Sequence, residues 1–176
     1  MNEPANRGEI GQLLAERGML GPAVEVGVYE GMFAEEILSW GVEKLYLVDL
    51  WRHVPDGKAE LDQSDERLEE VFQECLARVD RDRVVVLRGW STDMAQYIPD
   101  DSCGFVNIDA SHFEPDVRND TAAYWPKLQS GGIMAWHDYN IAGVRRAVRG
   151  FAANNNLVVH AAVVSEHDIT AWVEKP

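Results

Sequence analysis

The run LVVHAAVVSEHDITAWVE, Leu157 to Glu174, holds two strand patterns separated only by Ser165, Glu166 and His167. A parallel crossover needs a dozen or more residues, so three can join only antiparallel neighbours. Upstream the rhythm is different. The apolar runs AVEVGV (23–28), KLYLVDL (44–50), RVVVLRG (83–89), GFVNID (104–109) and GIMAWHD (132–138) are each separated by helical or loop sequence. That alternation is the mark of parallel strands covered on both faces. The sequence therefore predicts an α/β fold of seven strands, doubly wound and parallel except for a hairpin at its end. No linker or repeat interrupts it, so 1–176 reads as a single domain.

The intervening helices follow the 3.6-residue period. Ile10, Leu13 and Leu14 precede Gly18, and Met32, Phe33 and Ile37 precede Gly41. Leu68, Val71, Phe72, Cys75, Leu76 and Val79 form the strongest stripe. A short helix is expected from Ser91 to Tyr97, another from Pro115 to Trp125, and a last one through Val144, Ala147, Val148 and Phe151. Gly131-Gly132 is expected to turn into the fifth strand, and residues 51–64 form a polar loop.

With 176 residues and 46% apolar content the chain can bury a core without a metal or disulfide staple. A net charge of -14 opposes nucleic acid and anionic membrane as partners, leaving small molecules. Cys75 and Cys103 show no paired spacing, and no apolar run approaches the roughly 18 residues of a membrane span. The expectation is a soluble, unprocessed protein of the cytoplasm.

The strand–turn–helix segment AVEVGVYEGMFAEEIL (23–38) poses the functional question. Counted from Gly27, a GxGxxG fingerprint would need glycine at Tyr29 and Met32, and no Gly-Lys pair makes a phosphate loop. Glu25 and Glu30 would also repel phosphate. A ligand bearing an ammonium and a sulfonium suits these acids, while Gly27 and Gly31 permit close backbone approach. Asp49, ending the second strand, is placed to accept bonds from the ribose hydroxyls of an adenosine cofactor. An acid such as Glu25 inside a buried strand needs a partner, and a ligand would supply one.

The ordered set Glu25-x-Gly27-x-x-x-Gly31, Asp49 and the terminal hairpin resembles the class I S-adenosylmethionine-dependent methyltransferases. IDASHFEPDVRND, WPKLQSGGIMAWHDYN and GVRRAV look like a subgroup acting on hydroxyls of small molecules, the macrolide-sugar and, more distantly, catechol O-methyltransferases. The resemblance implies a Rossmann-like sheet of order 3-2-1-4-5-7-6 with strand seven antiparallel. It places Trp90 and Ser91 at the adenine and Asp109 beside the cofactor. It also implies that Asp109 and His112 form an Asp-x-x-His pair, the acid binding magnesium and the histidine taking the hydroxyl proton. Where those relatives carry two consecutive acids, this chain has His137 before Asp138. Imidazole is a poor magnesium ligand, so the change implies a softer metal such as zinc, manganese or iron, or loss of the metal.

Read from residue chemistry, Asp109, His137 and Asp138 suit a divalent ion, and His112 alone suits base catalysis near neutral pH. Plainer roles stand beside these. Ser91 is a candidate cap for a helix starting at Thr92, and His137 and Asp138 are candidates for holding the turn at Tyr139 and Asn140. His53, His160 and His167 belong to no constellation, and Asp120 has no assigned role. Two alternative functions are a non-catalytic S-adenosylmethionine-binding domain and an NAD-dependent oxidoreductase; the failed fingerprint and the hairpin oppose the second. With about twenty residues before the first strand, a substrate cap is expected from residues 51–64, from the loop after Asp138, or from another subunit of a homo-oligomer.

Overall fold

The computed structural model describes residues 4–54 and 63–176. Its strands are β1 (Ala23–Val26), β2 (Leu45–Asp49), β3 (Val84–Arg88), β4 (Cys103–Ile108), β5 (Leu128–Trp136), β6 (His160–Ser165) and β7 (Asp168–Glu174). They form one sheet of order β3-β2-β1-β4-β5-β7-β6. β1 to β5 pair in parallel, and β7 runs antiparallel to both β5 and β6. The short connection, Glu166 and His167 in the structure because Ser165 still pairs with Asp168, thus reverses the chain as expected and inserts β7 between β5 and β6.

Helices α1 (Ile10–Glu16), α2 (Met32–Ser39) and α3 (Asp65–Arg78) cover one face; α4 (Ser91–Met94), α5 (Glu114–Tyr124) and α6 (Ala142–Asn155) cover the other. Alternation along each strand divides the core between them. In β1, Ala23 packs with the first layer, whereas Val24 and Val26 pack with the second. Glu25 therefore points to the α1–α3 side and is 2% exposed. Phe33, Ala34, Ile37 and Leu38 make the buried face of α2, while Met32 turns outward towards the cleft described below.

Two boundaries depart from expectation for local reasons. Gly131-Gly132 lies within β5, where the pairing with β4 slips between Cys103 and Phe105. Gly131 has φ +80, and a Cβ on Gly132 would meet the Gly104 carbonyl oxygen at 2.9 Å, so the glycines accommodate a bulge. β6 begins only at His160, because α6 ends in left-handed Asn156 and Leu157 N–H bonds back to the Ala152 carbonyl at 2.9 Å. The helix after β3 starts at Ser91 and continues as a 3-10 turn to Tyr97, as expected; Trp90 is its N-cap, so Ser91 does not cap a helix from Thr92. Part of the expected polar loop, residues 55–62, lies outside the described residues.

Candidate active site

β1 pairs with β2 on one side and β4 on the other, so the chain's winding reverses between β1 and β4. Ligands of such sheets bind at the carboxyl ends of the strands beside that point. A cleft of about 890 Å³ opens there, lined among others by Glu25, Gly27, Asp49, Trp90, Asp109 and His112. Its volume is of the size that holds a nucleoside-sized ligand.

The first turn is built by Asp49. Its Oδ2 accepts the Val28 and Tyr29 amides at 2.8 and 3.0 Å, and its Oδ1 accepts the Trp51 amide at 2.9 Å. Tyr29 and Trp51 have φ of 52 and 41, a region costly for bulky side chains. The carboxylate thus ties two strained loops together, a task that its position in the sequence did not reveal. Trp51, 1% exposed, adds an Nε1 bond to the Tyr29 carbonyl at 2.9 Å.

The glycines divide their roles. At Gly27, φ +84, a Cβ would lie 2.2 Å from the Asp109 carbonyl oxygen, so only glycine lets the turns after β1 and β4 close on each other. Gly31 stands behind the cleft wall as the left-handed N-cap of α2, where a Cβ would meet Cys75 Sγ at 2.7 Å. Its contribution is the packing of α2 on α3.

Glu25 opposes Asn107 in the β1–β4 register. Glu25 Oε2 and both amide atoms of Asn107 are buried without a hydrogen-bond partner among the described residues. Burial raises the Glu25 pKa well above the usual carboxylate range; Asp109 and Asp49 raise it further, and Arg7 opposes them. An orphaned carboxyl oxygen beside a glycine cradle fits the cationic amino-acid tail of S-adenosylmethionine.

Asp109, His112, His137 and Asp138 converge beyond β4 and β5, with Asp168 of β7 beside them. His112 Nε2 lies 2.8 Å from Asp138 Oδ2. His137 Nδ1 lies 3.4 Å from Asp109 Oδ1 and 3.3 Å from Asp138 Oδ2, and its Nε2 lies 3.3 Å from Asp168 Oδ1. Burial disfavours the charge on His137, but bonds to Asp109 and Asp138 outweigh it and push its pKa up to about 10. The hydrogen bond from His137, helped by its charge and by the hydrogen bond from His112, lowers Asp138. Asp138 is itself left-handed, φ 54. The plainer turn role is also present, since its carbonyl accepts the Ile141 amide at 2.8 Å.

Asp109, His137 and Asp138 offer one donor atom each within 4.8 Å of one another. A tetrahedral ion with bonds of ~2.1 Å separates its ligands by roughly 3.4 Å, the spacing found around His137 Nδ1. Asp168 on the far ring nitrogen is the outer carboxylate that metal-binding histidines usually have. The donor set therefore fits a divalent cation.

Two lining residues were not legible as such. Arg7, before α1, sets its guanidinium 4.1 Å from the Phe33 ring centre and Nη1 3.3 Å from Asp109 Oδ2. A lone arginine in a polar N-terminal stretch carries no signal of this. Asp120 also lines the cleft, at 3% exposure, and accepts the Ser91 hydroxyl. The only sequence cue was its place on the inner face of α5 with Val117, Thr121 and Tyr124. Ser91 and half-exposed Trp90 line the wall beside it. The histidines given no role stay apart: His53 Nδ1 is 3.0 Å from the Gln63 carbonyl, His160 stacks on Trp172, and His167 lies at the exposed hairpin turn beside Glu166.

The strand order, the reversed β7 and the cleft over the β1 glycine turn define a Rossmann-like class I methyltransferase fold. The chain belongs to the methyltransferase-domain family, which matches residues 24–139. Among solved structures, the O-methyltransferase NovP is 17% identical with a TM-score of 0.72, covering 96% of this chain and 77% of that one. An O-methyltransferase of Bacillus cereus in complex with SAH is 17% identical, TM-score 0.68, over 99% and 83% of the two chains. TomG of Streptomyces achromogenes, an O-methyltransferase involved in tomaymycin synthesis and solved with SAM, is 13% identical, TM-score 0.68, over 97% and 80%. No curated protein matches in sequence. Among the described residues no helix is long and apolar enough to cross a membrane.

Proposed function

We propose that the protein transfers the methyl group of S-adenosylmethionine to a hydroxyl of a small molecule. The observation that carries this reading is His112 held by Asp138 at 2.8 Å, beside a cleft that already contains the Glu25–Gly27 turn. A carboxylate 2.8 Å from Nε2 orients the imidazole and stabilises the charge that it gains on taking a proton from an acceptor hydroxyl. The O-methyltransferase structures sharing the fold support a hydroxyl as acceptor.

When bound, the donor supplies an electrophilic methyl on a sulfonium. Gly27 would let its amino-acid tail approach the backbone, and Glu25 would face the ammonium. Arg7 offers guanidinium hydrogens for the tail's carboxylate in a cleft whose lining also carries Glu25, Glu30, Asp49, Asp109 and Asp120. Asp49 holds the turn on which these groups depend. His112 takes the hydroxyl proton as the oxygen attacks in line, so the rate rests on positioning and one proton transfer. Asp109, His137 and Asp138 would hold a divalent cation, which when bound lowers the pKa of an acceptor oxygen.

Calorimetry with S-adenosylmethionine, S-adenosylhomocysteine and NAD tests the donor. Micromolar binding of the first two and none of NAD is expected; NAD binding alone would reverse the assignment. Turnover is then sought as release of S-adenosylhomocysteine with a panel of sugar and phenol hydroxyls. Donor binding without release on any of them would favour a binding domain.

A further inference from the structure

Asn107 Nδ2 and Oδ1, Thr170 Oγ1 and Trp172 Nε1 belong to side chains at most 4% exposed, and none has a hydrogen-bond partner among the described residues. Glu25, whose Oε2 is orphaned too, lines the cleft, whereas these three residues do not. A ligand in the cleft can therefore satisfy Glu25 but not them. The strand registers bring the groups together. Glu25 opposes Asn107, Asn107 opposes Ala135, and Ala135 opposes Trp172, one row across β1, β4, β5 and β7. Alternation puts Thr170 on the same face as Trp172, one step towards the end of β5 where His137 lies. Only the Ala135 methyl separates the amide from the indole in that row. Phe105 and Ile133 close it on the apolar side, and His160 stacks on Trp172 at its far end.

Left dry, each of the four atoms would lower the folding equilibrium constant roughly 5- to 100-fold, and together they would cancel much of the about 10³–10⁸ of an ordinary domain. They comprise donors, an acceptor and a hydroxyl that is both, a mixture that water satisfies and a lone ion does not. We infer that this face of the sheet encloses a built-in hydration site of about two waters held by Asn107, Thr170 and Trp172, through which Asn107 positions the Glu25 carboxyl from behind. Neighbouring strands lie about 4.8 Å apart, so a single water bridges side chains that stand parallel on them. A water that accepts from Asn107 Nδ2 donates to Glu25 Oε2, which fixes the carboxyl and leaves its other oxygen for the cleft. The hydration follows from the sheet alone, while the role given to Glu25 rests on the donor reading above.

A crystal structure of the intact, unliganded protein, at a resolution that shows ordered water, is expected to hold water within about 3.2 Å of Asn107 and of Trp172 Nε1. Direct bonds among these side chains with no water beside them overturn the inference, and this arm needs no variant. Calorimetry then compares S-adenosylhomocysteine with methylthioadenosine, which lacks the amino-acid tail. Asn107→Leu should weaken the first about 10-fold and the second less than about 2-fold. Asn107→Ser, which can still hold a water, should restore most of the difference. The ratio is read because a purely structural role would weaken both ligands alike. An unchanged ratio in Asn107→Leu overturns the positioning of Glu25 while leaving the donor reading in place. Binding of neither ligand by the intact protein overturns both, and the crystal still decides the hydration.

Discussion

His112 Nε2 faces Asp138 Oδ2 at 2.8 Å, and Asp138 occupies a left-handed conformation. Strain at a residue that orients a base is a recurrent sign of function. His112→Gln is expected to lower kcat by about 10²–10⁴-fold while leaving the S-adenosylhomocysteine affinity within about 2-fold. Asp138→Asn keeps a residue that tolerates positive φ and should lower kcat with little loss of stability. Steady-state turnover together with calorimetry separates the two effects, and unchanged kcat in His112→Gln would remove it as the base.

Glu25 predicts a proton count. Burial raises its pKa, so an ammonium arriving beside it favours loss of its proton. Binding of S-adenosylhomocysteine should release up to about one proton. The readout is the dependence of the calorimetric enthalpy on buffer ionisation enthalpy. Glu25→Gln should bring that slope near zero and weaken binding by roughly 10-fold or more.

Asp49→Ala removes the acceptor of three backbone amides. Bonds to a charged group contribute roughly 1.5–3 kcal/mol each, and solvent can recover part of this at a half-buried site. A loss of about 3 kcal/mol in urea unfolding is expected, accompanied by loss of donor binding. Wild-type stability with lost binding would instead assign Asp49 to the ligand alone.

Asp120 sets a pH dependence of stability. Burial, against the Ser91 bond and with Asp116, raises its pKa from 3.8 to about 6. Between those values the folded state holds a proton that the unfolded state has lost. The stabilising contribution is thus complete below 3.8 and disappears as pH rises through about 6. Asp120→Asn should unfold at higher denaturant than the parent at pH 7, by up to about 3 kcal/mol, and the difference should vanish near pH 4. Urea titrations at the two pH values decide it.

Metal content of the purified protein, measured before and after chelation, tests Asp109, His137 and Asp138. A divalent ion of the softer kind is expected at about one per chain, absent from His137→Ala, with turnover lost in chelator and restored by zinc or manganese. Full turnover in chelator would leave His112 and Asp138 as the whole of the acid–base apparatus.

Local signals were enough for the architecture. Three residues between two strand patterns cannot make a crossover, and apolar runs alternating with amphipathic ones leave little choice but a covered parallel sheet. Glu25 and Gly27 were legible because a buried acid and a positive-φ turn are each rare and need a cause. Gly131-Gly132 was misread as a turn because a bulge and a turn use glycine for the same conformational freedom, and only the strand opposite tells them apart.

Sequence periodicity and connection length determined the direction of the strands and placed Asp109, His112, His137 and Asp138 at or just after strand ends, while the order of the strands followed from the family resemblance. Only the tertiary structure decided which groups meet. Arg7 reaches Asp109 across 102 positions, Asp49 serves the Val28 and Tyr29 amides from the neighbouring strand, and Asp120 claims the Ser91 proton from another helix. Such pairings depend on distances between elements remote in the chain, and local sequence carries no record of them.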